Sequence, residues 1–348
     1  MARPLRIAVA GGWYHVTARG NERRAIFRDA RDRERFIDLL SNLPERFHLQ
    51  LHAWVLLDNH YHLLIETGEP NLSVAMQWLG VSYTVWFNRR HRRAGHLFQG
   101  RFAAILLEES AAWEVSRYVH LNPVRVRTAR LDKAAQHQWR AGLGRQPDKK
   151  LVAERLHLLR QYRWSSYRAY AGRAEAPEWL TTKRLLALGG ATRRDQCRAY
   201  RRFAEEPVRQ GVLENPWERL AAGVLLGGAE FVRHWRARVQ GHEREQPQLR
   251  RLRRATSFAE LLRVVERLKG ERWEAFRDRH GDWGRDLAFY LGRRTAGLTL
   301  RALAAQAGGM DYSSVAKAVE RFGRRMKTSR QLQTLVAQAK HQMSNVQT

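Results

Sequence analysis

Leu49 to Thr67 reads LQLHAWVLLDNHYHLLIET. Two apolar runs rich in β-formers flank Asp58-Asn59, a pair that turns a chain sharply. The stretch predicts two antiparallel strands, Leu49 to Leu57 and His60 to Thr67. Working outward, Trp13 to Arg19 (WYHVTAR) reads as a preceding strand closed by Gly20-Asn21. Between it and the hairpin, from Asp29 to about Arg46, Phe36, Leu39, Leu40 and Leu43 recur at helical spacing. Beyond the hairpin a long helix runs from Asn71 to about Arg93, capped by Asn71 or Ser73. Phe102 to Glu108 is a fourth strand. Ser110 caps a helix that stops near Leu121, because Pro123 follows Asn122.

The order β-α-β-β-α-β-α is that of a ferredoxin-like split βαβ unit with one added helix. The fold class expected is α+β: an antiparallel sheet with helices on one face, leaving the other face open for a ligand. From 131 to 180 the chain turns irregular and basic, with Gly142, Gly144, Pro147 and Asp148-Lys149-Lys150, and reads as a mobile linker. Within it Tyr162 to Tyr170 (YRWSSYRAY) is dense in aromatics and reads as packing onto the first domain. From about 210 the pattern is helical, with helices near 216–226, 228–240, 256–269, 283–294, 299–307 and 312–326 and a polar, frayed tail after Ser329. Three parts follow: 1–130 the α+β unit, 131–210 basic linker and aromatic segment packing on it, 211–348 helical.

The 348 residues carry a formal charge of +29. Arginine supplies 55 of the 63 basic residues, which is a codon preference, but 63 basic against 34 acidic residues is not. That balance points to a polyanion, most often nucleic acid. Cys197, the single cysteine, excludes an internal disulfide and a cysteine-rich zinc site. There is no apolar stretch of signal-peptide or membrane-helix length, so a soluble cytoplasmic, nucleoid-associated protein is expected.

His60 and His62 stand two residues apart on a predicted strand, so both imidazoles face one side and can reach one metal ion. Taken alone, such a pair is more often a packing or surface coincidence than a metal site. Tyr118 and Asn122 lie four residues apart, one helical turn on one face. Alone, Tyr118 fits an amphipathic core tyrosine.

Four segments in order, YHVTARGNERRAIF (Tyr14 to Phe27), NHYHLLIET (Asn59 to Thr67), GHLFQGRF (Gly95 to Phe102) and RYVHLNPVR (Arg117 to Arg125), resemble the HUH single-tyrosine transposases. They look most like the branch associated with repetitive extragenic palindromes (REP). The likeness runs over roughly 10–170 and includes Trp164-Ser165-Ser166-Tyr167. It implies the ferredoxin-like fold reached above. It implies a metal-dependent single-stranded DNA endonuclease and strand transferase that forms a 5′-phosphotyrosine at hairpin-containing DNA. By motif position, Tyr118 is the nucleophile, His60 and His62 are metal ligands, and Asn122 is the third. The implied cofactor is Mg²⁺ or Mn²⁺, imidazole suiting Mn²⁺ better. The sequence departs at Tyr61, where relatives have an aliphatic residue, and at Asp58, where they often have Pro.

Arg19, Arg23, Arg24, Arg89, Arg90, Arg92, Arg93, Arg101 and Arg125 are candidates for backbone contact with an unpaired strand. Near the C-terminus, Thr299 caps a helix, Gly308-Gly309 breaks it, and Asp311 to Phe322 makes a second with Val315, Val319 and Phe322 inward. This is helix-turn-helix spacing, presenting Tyr312, Ser313, Ser314 and Lys317 to a major groove. Residues 270–326 resemble the DNA-binding domain of the bacterial chromosomal replication initiator, with Tyr312 where that family has His. Sequence-specific duplex DNA is therefore a second expected partner, beside single-stranded and hairpin DNA, for a monomer or homodimer. Two rivals remain. A non-catalytic regulator of palindromic elements would grip a hairpin without cutting it, and an RNA-binding sheet would stack bases.

Overall fold

In a computed structural model, residues 6–125, 129, 131–140, 146–211, 215–239, 258–296, 298 and 300–345 are described. Gly142, Gly144 and Thr299, three positions used in the sequence reading, lie outside them. The chain divides into two compact units: Arg6–Trp217 with Val224–Gly227, and Glu218–Gly223 with the residues from Gly228 onward.

In the first unit, β1 (Trp13–Arg19), β2 (Leu49–Leu57), β3 (His60–Thr67), β4 (Ala103–Leu107) and β5 (Leu225–Leu226) form one sheet in the order β2-β3-β1-β4-β5. The first four are antiparallel, as in a ferredoxin-like sheet, and β5 joins β4 in parallel. The short β5 falls in the stretch 216–226 read as helical. There the chain makes a single 3-10 turn, Pro216–Arg219, before the strand. A two-residue strand carries too little pattern to be seen in sequence.

The central strands bury side chains on both faces, because helices cover both. On one face α1 (Ala30–Ser41) and α3 (Leu72–Arg90) pack over Tyr61. Phe36 stands 4.9 Å from the Tyr61 ring and 5.0 Å from that of Tyr83. The helix expected from 29 to 46 is broken at Asn42-Leu43-Pro44 into α1 and α2 (Leu43–Phe47). Asn71 holds the cap position of α3 without capping it, since its amide donates to Phe47 O. The opposite face, expected open, receives α4 (Ala112–His120), which brings Tyr118 to 5.8 Å from the His62 ring. Ser110 lies in the 3-10 turn before α4, whose cap position is Ala111.

The segment 131–210, read as a linker, is largely helical: α5 (Lys133–Arg140), α6 (Lys149–Gln161), α7 (Tyr167–Tyr170), α8 (Lys183–Leu186) and α9 (Arg193–Gln210). Asp148 caps α6 by accepting from Leu151 N, so a run read as mobile linker starts a helix instead. The Trp-Ser-Ser-Tyr stretch runs along the outer edge of β2. Leu56 N donates to Trp164 O at 2.9 Å, and Ser166 N to Trp54 O at 3.0 Å. This covers the backbone of an edge strand that would otherwise be open to pairing.

The same stretch anchors α4. His120 contacts the Tyr200 hydroxyl through Nδ1 at 2.5 Å and the Ser166 hydroxyl through Nε2 at 2.7 Å, and Tyr200 also contacts Ser116 Oγ at 2.9 Å. His120, Ser166 and Tyr200 are all buried. One ring thus ties α4 to the β2 edge and to α9.

The second unit is helical: α10 (Ala229–Arg238), α11 (Phe258–Lys269), α12 (Trp273–Phe276), α13 (Trp283–Arg294), α14 (Leu300–Gln306), α15 (Tyr312–Met326) and α16 (Arg330–Asn345). Its core includes Leu261, Phe276, Phe289, Leu303, Val315 and Phe322. Asp286, fully buried on α13, takes a two-armed ion pair at 2.8 Å from Arg321 on α15.

Burial pushes the His120 imidazole down to about 3. The unfolded chain takes up that proton near 6.5, so stability is fully present above that pH and is lost as pH falls toward 3. His120→Ala should cost about 2–4 kcal/mol, since it strands buried hydroxyls and leaves a cavity. It should also flatten the acid limb of the urea-unfolding free energy plotted against pH.

Candidate active site on the second face of the sheet

His60 and His62 follow the Asp58-Asn59 turn at the start of β3, the strand between β1 and β2. Alternation sends both to the face under α4. It sends Tyr61 to the other face, where its aromatic ring is filled in by Phe36. The two imidazoles lie 5.0 Å apart, centroid to centroid, and edge to face. Tyr118 presents its ring edge-on to His62 at 5.8 Å, in the same chain.

Three further side chains close around Tyr118. His15, from β1, lies 5.9 Å from its ring and contacts His62, Nε2 to Nδ1, at 2.8 Å. Trp217 lies 4.8 Å from the Tyr118 ring and 4.5 Å from that of His15. The Arg125 guanidinium sits 4.4 Å over the Tyr118 ring. The sequence reading missed His15 and Trp217. His15 lies inside the quoted motif at Tyr14 to Phe27, and β alternation places it on the face of His62. Trp217 is far along the chain from both Tyr118 and His15 and carries no local signal.

Desolvation holds His15 down to about 3 and His60 to about 4, the latter helped by Arg19. Burial, then the neighbouring His15 and His60, takes His62 well below its ordinary value. All three are neutral at physiological pH, the form in which imidazole binds a metal. His62 Nε2 is buried with no hydrogen-bond partner. A buried ring nitrogen without a partner is one that a metal ion could satisfy. Among the described residues no three His, Cys, Asp or Glu side chains gather as a metal cluster. Asn122 donates its amide nitrogen to Tyr118 O at 2.8 Å, which leaves its oxygen as the arm for a ligand.

Asp58 sends its carboxylate to Arg33 in an ion pair. Arg19 is exposed and pairs in register with His60. Arg23, Arg24 and Arg101 are exposed, Arg24 paired with Glu22 at 2.7 Å. Arg90, by contrast, is bound to Asp29 at 2.7 Å and to Asp32, and braces α1 against α3. The sequence could not separate this structural arginine from its neighbours Arg89, Arg92 and Arg93.

In the helical unit, α14 and α15 flank a turn in which Gly308 and Gly309 take positive φ. Asp311 caps α15, accepting from Ser313 N at 2.7 Å. Tyr312, Ser313, Ser314 and Lys317 are exposed, while Val315, Val319 and Phe322 are buried.

Residues 8–122 match the family model described as "Transposase IS200 like". The chain carries an IS200-like transposase domain. Its span takes in His15, both strand histidines, Tyr118 and Asn122, and it is the single-tyrosine family that the four ordered motifs indicate. No curated protein matches the chain. Five chains of solved structures do. One, the REP-associated tyrosine transposase bound to a REP hairpin, is 15% identical with a TM-score of 0.34, covering 51% of this chain and 89% of that one. The matched residues take in β1 to β4 and α4, and β5 lies beyond them. α5 to α9, Trp217 and the helical unit lie beyond the matched residues.

The loop that delivers His60 depends on Gly20. Gly20 N donates to Asn59 O at 2.8 Å, and a Cβ on Gly20 would stand 2.1 Å from Arg24 O. Glu22 and Arg23 both hold positive φ beside it. Gly20→Ala should therefore cost about 1–3 kcal/mol in urea unfolding, because the backbone itself must shift.

Proposed function

We propose that this transposase is a metal-dependent single-stranded DNA nicking and joining enzyme of the REP-associated kind, acting at hairpin-containing DNA through Tyr118. The observation that carries the reading is the packing of Tyr118 edge-on to His62, 5.8 Å between rings, within one chain. That distance favours a tyrosine acting on the histidine pair of its own chain, and so a monomer competent by itself.

In this reading the Tyr118 hydroxyl attacks phosphorus. A Tyr–O–P bond forms, the P–O3′ bond breaks, and the phenolic proton passes to the departing 3′ oxygen. The 5′-phosphotyrosine keeps the bond energy, so a 3′ hydroxyl can reverse the step and join strands without a nucleotide cofactor. His60 and His62 would hold Mn²⁺ or Mg²⁺, with the Asn122 oxygen as a third ligand. A cation bound there would polarise the phosphoryl oxygen and steady the leaving oxygen. Arg125 and the exposed Arg19, Arg23, Arg24 and Arg101 supply positive charge for the strand's phosphates.

The helical unit is proposed to bind duplex DNA. Its turn and cap geometry support α15 as a reading helix, with Tyr312, Ser313, Ser314 and Lys317 outward. The rival, a non-cutting regulator, predicts hairpin binding that is indifferent to both histidines.

Incubation with a hairpin-flanked single strand and Mn²⁺ should give a covalent adduct that denaturing gels resolve. Tyr118→Phe should abolish it, and His62→Ala should lower its rate by at least about 100-fold. As much adduct from Tyr118→Phe as from wild type would exclude Tyr118 as nucleophile. In fluorescence anisotropy, Lys317→Ala with Tyr312→Ala should weaken duplex binding and leave single-strand adduct formation as in wild type. Unchanged duplex affinity would remove α15 from the interface.

A further inference from the structure

His15 belongs to no assigned role, yet it is the side chain most closely engaged with His62. It sits on β1, the strand hydrogen-bonded on both sides, opposite Leu64 in β3 and Ile105 in β4. It is 4% exposed, and only its Nε2 is engaged, at 2.8 Å from His62 Nδ1. Its own Nδ1 and the far nitrogen of His62, Nε2, are both buried without a partner.

His60 shows how a neighbour can fix a ring's proton. Asn59 donates its amide nitrogen to Arg23 O at 2.9 Å, so the arm that meets His60 Nδ1 at 2.7 Å is the oxygen. An oxygen there only accepts. His60 therefore carries its proton on Nδ1 and presents a lone pair on Nε2.

For His62 two arrangements fit the 2.8 Å contact. If His15 donates, the proton of His62 must sit on Nε2, and both unpartnered atoms are left unmet. If His62 donates from Nδ1, its Nε2 is a lone pair, which a cation satisfies, and only His15 Nδ1 remains. We propose that His15 is a positioning residue, accepting the His62 Nδ1 proton so that Nε2 of His62 stays open to a divalent cation. Asn59 and His15 then do the same for the two ligand histidines, one through an amide oxygen and one through a ring nitrogen. The inference rests on the reading of His60 and His62 as ligands.

The test uses the full-length protein without DNA, with free Mn²⁺ measured by electron paramagnetic resonance during titration. His15→Leu should weaken Mn²⁺ binding about 10- to 100-fold. His15→Gln should recover most of that loss, because its side-chain oxygen can accept from His62 Nδ1. Wild-type affinity in His15→Leu, or equal losses in the Leu and Gln variants, would show that His15 only fills space and overturn the proposal. His62→Ala separates the two readings: if it binds Mn²⁺ like wild type, the ligand assignment fails and the role of His15 falls with it. If it abolishes binding while His15→Leu does not, only the role of His15 falls. Should His15→Leu not fold, long-range ¹H–¹⁵N spectra of the unmutated protein with Mg²⁺ still decide. They should show His62 protonated at Nδ1, and a proton on Nε2 overturns the proposal.

Discussion

The geometry of the site depends on one buried ring, His120. α4 has nine residues, too few to hold an orientation by itself. What fixes it is the pair of hydrogen bonds from His120 to Ser166 and Tyr200. Ser166 is in turn bonded to the backbone of Trp54 on β2. Tyr118 lies two residues before His120 and takes its position from that clamp. The aromatic segment after α6 therefore helps to set the position of Tyr118, although it lies outside the matched residues 8–122. A polar network this deep is costly unless every member is met, and here each hydroxyl and both ring nitrogens have partners.

Burial does a second job on the same face. A protein with a charge of +29 would be expected to repel a divalent cation. The face of His15, His60 and His62 counters this by keeping all three imidazoles neutral through desolvation. The nearest carboxylate in sequence, Asp58, is drawn off by Arg33. If these histidines and Asn122 hold a cation as proposed, the donors are nitrogen and amide oxygen with no charge of their own, which would favour a weakly held ion that a DNA phosphate completes. An anionic cage would bind the metal more tightly and repel the strand that must approach it.

The hairpin, the strand order and the pairing of His60 with His62 were legible because each rests on local signals: alternation, a turn dipeptide and two-residue spacing. The four strands of the transposase sheet came out with their residues nearly unchanged, Trp13–Arg19 and His60–Thr67 among them. What was not legible is tertiary. That α4 would cover the second face follows from Tyr118 meeting His62 and His15, a fact of packing. The segment from 131 to 210 looked like linker because Gly, Pro and basic residues are frequent in its first half. Its helices are stabilised by caps such as Asp148 and by buried groups such as Glu205 with Arg160, 2.7 Å apart, which local composition does not reveal. Trp217 was invisible for the same reason: nothing near it in sequence says that it rests on Tyr118.

The arginines make the last point. Their number argued for nucleic acid, but the structure spends many of them on carboxylates. Arg90 braces α1 through Asp29 and Asp32, Arg160 meets buried Glu205, Arg184 bridges Glu66 and Glu109, and Arg321 neutralises buried Asp286. A buried carboxylate without its arginine is worse than no carboxylate at all, so these arginines are fixed by folding. Net charge therefore overstates what these arginines could offer a nucleic acid. Arg19, beside His60 in register, and Arg125, over the ring of Tyr118, lie against the residues proposed to react, so their position as well as their charge would matter. In the proposed reading a phosphate brought to Tyr118 would meet the Arg125 guanidinium, which lies over the tyrosine's own ring, so the group that would attract the strand stands against the group that would cut it.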